Sequence, residues 1–151
     1  MPDPLFDVRT PRLDLPLLFA GQAQKEAFVN EVAARIDALL FLAIEGTQTA
    51  PPTAPSDGQS WLIGASPTGD WSGHAGAIAM RQSGNWLFAA PVAGMRLLDK
   101  STGQERRYHT AWQAPAKPAA PSGGTTVDAE ARAAITAIIA ALVAAGIVPA
   151  S

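Results

Sequence analysis

Four tryptophans carry most of the chemical potential of this chain, and three of them follow a glycine turn. The runs are Asp57-Gly58-Gln59-Ser60-Trp61, Thr68-Gly69-Asp70-Trp71 and Ser83-Gly84-Asn85-Trp86; Trp112 follows Tyr108. A flat, exposed indole can stack on the apolar C–H face of a sugar ring, while neighbouring amides and carboxylates bond its hydroxyls. Asp70, Asn85, Gln82 and Gln104 are placed for that role. The competing reading makes the indoles core, because a small β-domain has few other ways to bury enough apolar area. Trp61 and Trp86 stand in apolar runs, Trp-Leu-Ile and Trp-Leu-Phe, and read as core. Trp71, between Asp70 and Ser72-Gly73, reads as the surface platform, and Trp112 is open to either reading. The candidate glycan-binding set is Trp71, Asp70, Asn85, Trp112 and Tyr108.

Other chemistry finds little support. Asp57, Asp70, Asp99 and Glu105 share the same segment, and glycoside cleavage needs two facing carboxyls. Turn formation and solvation explain all four acids without it. His74 and His109 have no acidic partner at ligand spacing, and with no cysteine a thiolate metal site is excluded. Neither a Gly-x-Ser-x-Gly elbow nor a phosphate or dinucleotide loop occurs. The expectation is a protein that is not an enzyme and needs no cofactor or metal.

These residues sit on elements of two kinds. Gly-Asp and Gly-Asn pairs supply positive-φ turns, and aromatics suit the strands that follow. The spacing predicts strands at 60–63, 77–82, 86–89, 95–99 and 105–109, with Asp99-Lys100-Ser101-Thr102-Gly103 as the last hairpin turn. Residues 56–113 therefore read as a small antiparallel β-domain. Residues 21–46 read as a helix ended by Gly46, with Val29, Val32, Ile36, Leu39 and Ala43 at heptad spacing. This seam fits either self-association or a helix covering one face of the sheet. Residues 1–20, with prolines at 2, 4, 11 and 16, read as an extended arm. Residues 47–55 read as a stiff loop, and 114–126 as a Pro/Gly/Ala linker.

The last helix, over 127–148, is nearly all alanine and aliphatic. Asp128 caps it, Gly146 stops it, and Ile135, Ile138 and Leu142 form a short seam. Behind a long linker, this seam is expected to pack against other copies, and isoleucine at both seam positions leans toward more than two strands. The fold class is α+β: an N-terminal helix, a Trp-rich antiparallel meander and a tethered C-terminal helix.

Composition agrees with an assembled protein. Apolar residues make up 48% and charged residues only 16%, against about a quarter in an average chain. A surface so poor in charge is expected to be partly covered by other subunits. Net charge is −2 with Arg106-Arg107 as the only tight basic pair, which argues against a nucleic-acid partner. No run of about twenty uninterrupted apolar residues suggests membrane insertion. Met1-Pro2-Asp3-Pro4 lacks a basic leader, so an ordinary secretion signal is not expected.

The stretch Arg12-Leu13-Asp14-Leu15-Pro16-Leu17-Leu18-Phe19-Ala20-Gly21-Gln22-Ala23-Gln24-Lys25-Glu26, followed by Asn30-Glu31 and Asp37-Ala38-Leu39, resembles a domain of unknown function. That domain is common in alphaproteobacterial prophages and gene transfer agents. Ala50-Pro51-Pro52, Asp57-Gly58, Trp61, Gly69 to Trp71, Gly73-His74-Ala75-Gly76, Gly84 to Trp86 and Pro91 to Met95 continue the resemblance. It implies a virion or particle component, of the kind labelled tail fibre or spike, with no enzyme activity. The expected protein is a homo-oligomer, a trimer, joined to other particle proteins and contacting cell-surface polysaccharide. It would be assembled in the cytoplasm and released by lysis. The alternative is a capsid or tail adaptor with no receptor contact.

Overall fold

A computed structural model describes residues 15–16 and 25–150, with only the backbone of Glu26. The arm expected over 1–20 and the helix start at 21–24 lie outside the described residues, apart from a half-buried Leu15 and a buried Pro16. The fold is α+β. Helix α1 (Lys25–Leu40) leads into eight strands, and helix α2 (Ala129–Ala144) is the last element. The strands are β1 (Ala43–Ile44), β2 (Thr47–Gln48), β3 (Ser60–Ile63), β4 (Ile78–Gln82), β5 (Asn85–Ala89), β6 (Arg96–Asp99), β7 (Gln104–Tyr108) and β8 (Trp112–Gln113).

They form two four-stranded sheets, β1-β6-β7-β8 and β2-β3-β4-β5, rather than one meander. The segment 43–48 joins them. Its first half pairs in parallel with β6 and its second half in parallel with β3. Pairing also corrects the helix end and the loop start. The helix stops at Leu40 because Ala43 and Ile44 are drawn into the ladder with Leu98 and Asp99. Gly46 is therefore no helix cap; it sits between two strands, and its carbonyl accepts from Leu62 N at 3.0 Å.

Side-chain alternation gives the β2-β3-β4-β5 sheet two apolar faces. On the inner face Leu62, Ile78, Met80 and Ala89 meet Leu42, Ile44 and Leu97, with Ala38 and Leu39 of α1 against them. The outer face carries Trp61, Ile63, Ala77 and Ala79, flanked by Trp86 and Phe88. The loop between β3 and β4 folds back over that face and lays Trp71 on it, through a single 3-10 turn (Gly69–Trp71).

The β4–β5 hairpin turns on Ser83 and Gly84, with φ of 49° and 75°. Positive φ at both central residues is the two-residue turn whose twist matches paired strands, and only glycine adopts it without strain. Asn85 Nδ2 donates to Ser83 O, and Asp57 accepts from Gly84 N, so this turn is tied from both sides.

Helix α2 is docked on its own chain. Asp128 accepts from Ala131 N at 2.8 Å as its N-cap. At the other end Ile147 N bonds Leu142 O and Gly146 N bonds Val143 O, a glycine-terminated stop with Gly146 at φ 67°. Gly146 O then accepts from Glu105 N, and Val148 is buried. The 114–126 stretch, expected as an extended tether, runs back along the helix. Lys117 Nζ donates to Ala150 O and Arg132 donates to Gly123 O.

Candidate functional site

Three of the four tryptophans form one compact cluster. Trp61, Trp71 and Trp86 meet pairwise at centroid distances of 6.2, 5.7 and 5.2 Å, tilted or edge-on. The register explains the fit. Trp61 pairs with Ala79, which pairs with Phe88, so the small central residue leaves a slot that the Trp71 ring occupies. Arg81, opposite Trp86, lays its guanidinium over that ring at 5.0 Å, and His74 stacks on Phe88 at 3.8 Å.

Trp71 is therefore not the exposed platform that its polar neighbours suggested. Its exposure is 0%, and its indole N–H has no hydrogen-bond partner among the described residues. The glycine turn before it directs the ring inward, and two aromatic neighbours, Trp61 and Trp86, outweigh the polarity of Asp70 and Ser72. Trp61 is core as expected, and Trp86 is half-buried.

The remaining members of the proposed glycan set are scattered. Asp70 is exposed. Asn85 is exposed, but its amide serves the Ser83-Gly84 turn. Tyr108 and Trp112 do meet, edge-on at 5.3 Å across the β7–β8 pair. Both are half-buried; Trp112 packs on the core between the sheets and donates its indole N–H to Gly76 O at 3.2 Å. Trp71 and Trp112 thus belong to different clusters and share no binding face. Gln82 is exposed at the β4 end. Gln104 is buried, donating to Pro115 O at 2.6 Å and Ile147 O at 2.9 Å, and so clasps the C-terminal segment to β7.

The seam residues divide between inside and outside. Leu39 packs against the core and Val32 is half-buried, whereas Val29 and Ile36 are 48% and 46% exposed. Leu40 and Phe41 extend that outward surface at 67% and 87%. What α1 turns inward includes an arginine. Arg35 is buried, pairs with Glu31 at 2.9 Å and donates to Phe88 O at 2.9 Å. On α2, Ile139 is the buried residue, Leu142 is half-buried, and Ile135 and Ile138 face outward.

The largest concavity described lies elsewhere, on the outer face of the β6–β7–β8 sheet. About 440 Å³ in volume, it is lined by Arg96, Glu105, Arg106, Arg107, Gln113 and the apolar Ala114, Pro115 and Ile147. The Arg106-Arg107 pair is visible in the sequence, but strand alternation separates the two. Arg107 stands outward opposite Arg96, while Arg106 reaches the buried Asp99. Only the register fixed by the 100–103 turn reveals that Arg96 and Arg107 are neighbours. Among the described residues no group of three or more His, Asp or Glu side chains is placed to hold a metal ion.

Residues 29–113 match the family model described as "Protein of unknown function (DUF2793)". The match takes in most of α1, from Val29 onward, and all eight strands, more than half of the sequence, and the chain belongs to that family. No curated protein matches the chain.

Proposed function

We propose that this member of the DUF2793 family is a homo-oligomeric structural component of a phage or gene-transfer-agent particle, in a tail fibre, spike or its base. The observation that carries the reading is the outward face of α1. Val29, Ile36, Leu40 and Phe41 are exposed on one helix and its exit, beside a β-domain whose own core is already complete. Contiguous apolar surface of this kind marks association. Ile135 and Ile138 on α2 offer a second such surface. A trimer closes a ring of heterologous contacts without leaving either face open. The tryptophan cluster would serve as rigid filling that holds the shape of each subunit.

Burial of Trp71 favours, as the second reading, an adaptor within the particle whose indoles touch no receptor. The first reading predicts self-association in solution, and both predict presence in purified particles. Light scattering on the full chain and on an Ile36→Glu, Leu40→Glu variant tests the first point. A trimer that falls to monomer in the variant, with the far-UV spectrum unchanged, supports the proposal. A full chain that stays monomeric at every concentration refutes self-assembly. Absence of the protein from purified particles by mass spectrometry refutes the particle reading itself.

A further inference from the structure

We infer that the cleft on the outer face of the β6–β7–β8 sheet binds an acidic sugar, its carboxylate seated between Arg96 and Arg107. The two arginines face each other directly across the antiparallel ladder. Like charges in that position repel, and sheets ordinarily place an opposite charge or a neutral residue there. Glu105 relieves the repulsion only in part, lying diagonally at 3.9 Å from Arg96 with both side chains largely solvated. Arg107 has no carboxylate partner among the described residues. A planar anion placed between the two forks would satisfy both, since guanidinium pairs match carboxylate geometry two bonds at a time.

The rest of the cleft selects a sugar acid over a bare anion. Gln113, opposite Arg107 in β8, completes a row of three polar side chains across three strands. Its amide donates and accepts, and Glu105 accepts, which suits ring hydroxyls. The rest of the lining, Arg106 apart, is apolar, formed by Ala114, Pro115 and Ile147, and suits the C–H face of a pyranose. A volume of about 440 Å³ is at the small end of ordinary ligand pockets and holds one or two sugar rings. A nucleic-acid backbone is disfavoured, because the net charge is −2 and no basic stripe leads away from the cleft. Arg106 lines the cleft but is committed to Asp99 and Thr47. The inference stands on this cleft alone and its failure would leave the particle reading untouched.

The test is a titration of the full chain, followed through the Gln113 side-chain amide and the Arg107 Nε–H by NMR. The probes are a linear galacturonic acid trimer, the neutral trimer maltotriose and inorganic phosphate. The expected result is saturable shifts with the galacturonate trimer, weakened by salt, and at least ~10-fold weaker response to the other two. R107Q should lose at least ~10-fold in affinity while melting no lower than the parent, because it also removes the like-charge contact. R96Q should behave in the same way. A merely structural arginine would not show that opposite movement of binding and stability. No saturable response, equal response to phosphate, or binding unchanged in both variants would each overturn the inference.

Discussion

Asp99 and Arg106 meet diagonally across the β6–β7 hairpin, with Oδ2 of a fully buried carboxylate 2.5 Å from Nη2 of the guanidinium. The contact is an ion pair without hydrogen-bond alignment, since Asp99 Oδ2 makes no hydrogen bond. The other oxygen is fully engaged. Oδ1 accepts from Ser101 N at 3.0 Å and Ser101 Oγ at 2.5 Å, closing the turn. Arg106 also donates to Thr47 Oγ1, so one pair ties the hairpin to the strand segment shared by both sheets.

Asp99→Ala should therefore be severe. It leaves Arg106 uncompensated and the turn unheld, and breaking a buried pair costs about 3–5 kcal/mol. Asp99→Asn keeps an acceptor for Ser101 and should cost less. Urea unfolding of both variants checks this order, and equal losses would assign the effect to charge alone.

Trp71→Ala should cost about 3–5 kcal/mol, as expected for deleting a fully buried aromatic. Trp71→Phe should be milder, because it also removes an indole N–H that has no partner. Neither change should alter saccharide binding in the arginine cleft. Denaturation paired with the NMR titration separates the two effects; a binding loss in folded Trp71→Phe would reinstate the indole as a contact residue.

The β4–β5 turn offers a gain. Ser83 holds φ 49°, a conformation that asparagine tolerates better than serine. Ser83→Asn should raise stability by roughly 0.5 kcal/mol. Gly84→Ala at φ 75° should lower it by about 1 kcal/mol, although open space surrounds the added methyl. Thermal melts resolve both signs.

Gly146 is constrained twice. Its φ is 67°, and a Cβ there would lie 3.2 Å from Gly103 O. Gly146→Ala should strain the helix stop and push the C-terminal segment off β7, costing about 1–2 kcal/mol. Hydrogen exchange at Glu105 N, which donates to Gly146 O, should quicken selectively. Uniform quickening across the core would instead mean global loosening.

Local chemistry made much of this fold legible. Glycine turns placed β3, β4, β5, β6 and β7 to within a residue at either end, and Asp128 and Gly146 bracketed α2. Two kinds of information were missing. The switch of 43–44 from helix to strand, and of 47–48 from loop to strand, is decided by partners more than ten residues away, Leu98 and Leu62, and no local propensity overrides them. The direction of Trp71 depends on a backfolded loop, and its polar neighbours point the other way. The cleft was hidden for the first of these reasons. Arg96 and Arg107 are eleven positions apart and become opposed only through register.

Arg35 has a consequence for how copies of the chain can meet. β5 is the outer strand of its sheet, and Arg35 occupies the carbonyl of Phe88 on that border. Open borders of this type recruit identical strands without limit, which in a crowded array of subunits yields fibres. With that carbonyl taken, lateral growth through β5 loses an acceptor it needs. Helix α1 thus blunts this border of the sheet from its inward side, which in the proposed oligomer would leave its outward apolar side as the contact between copies.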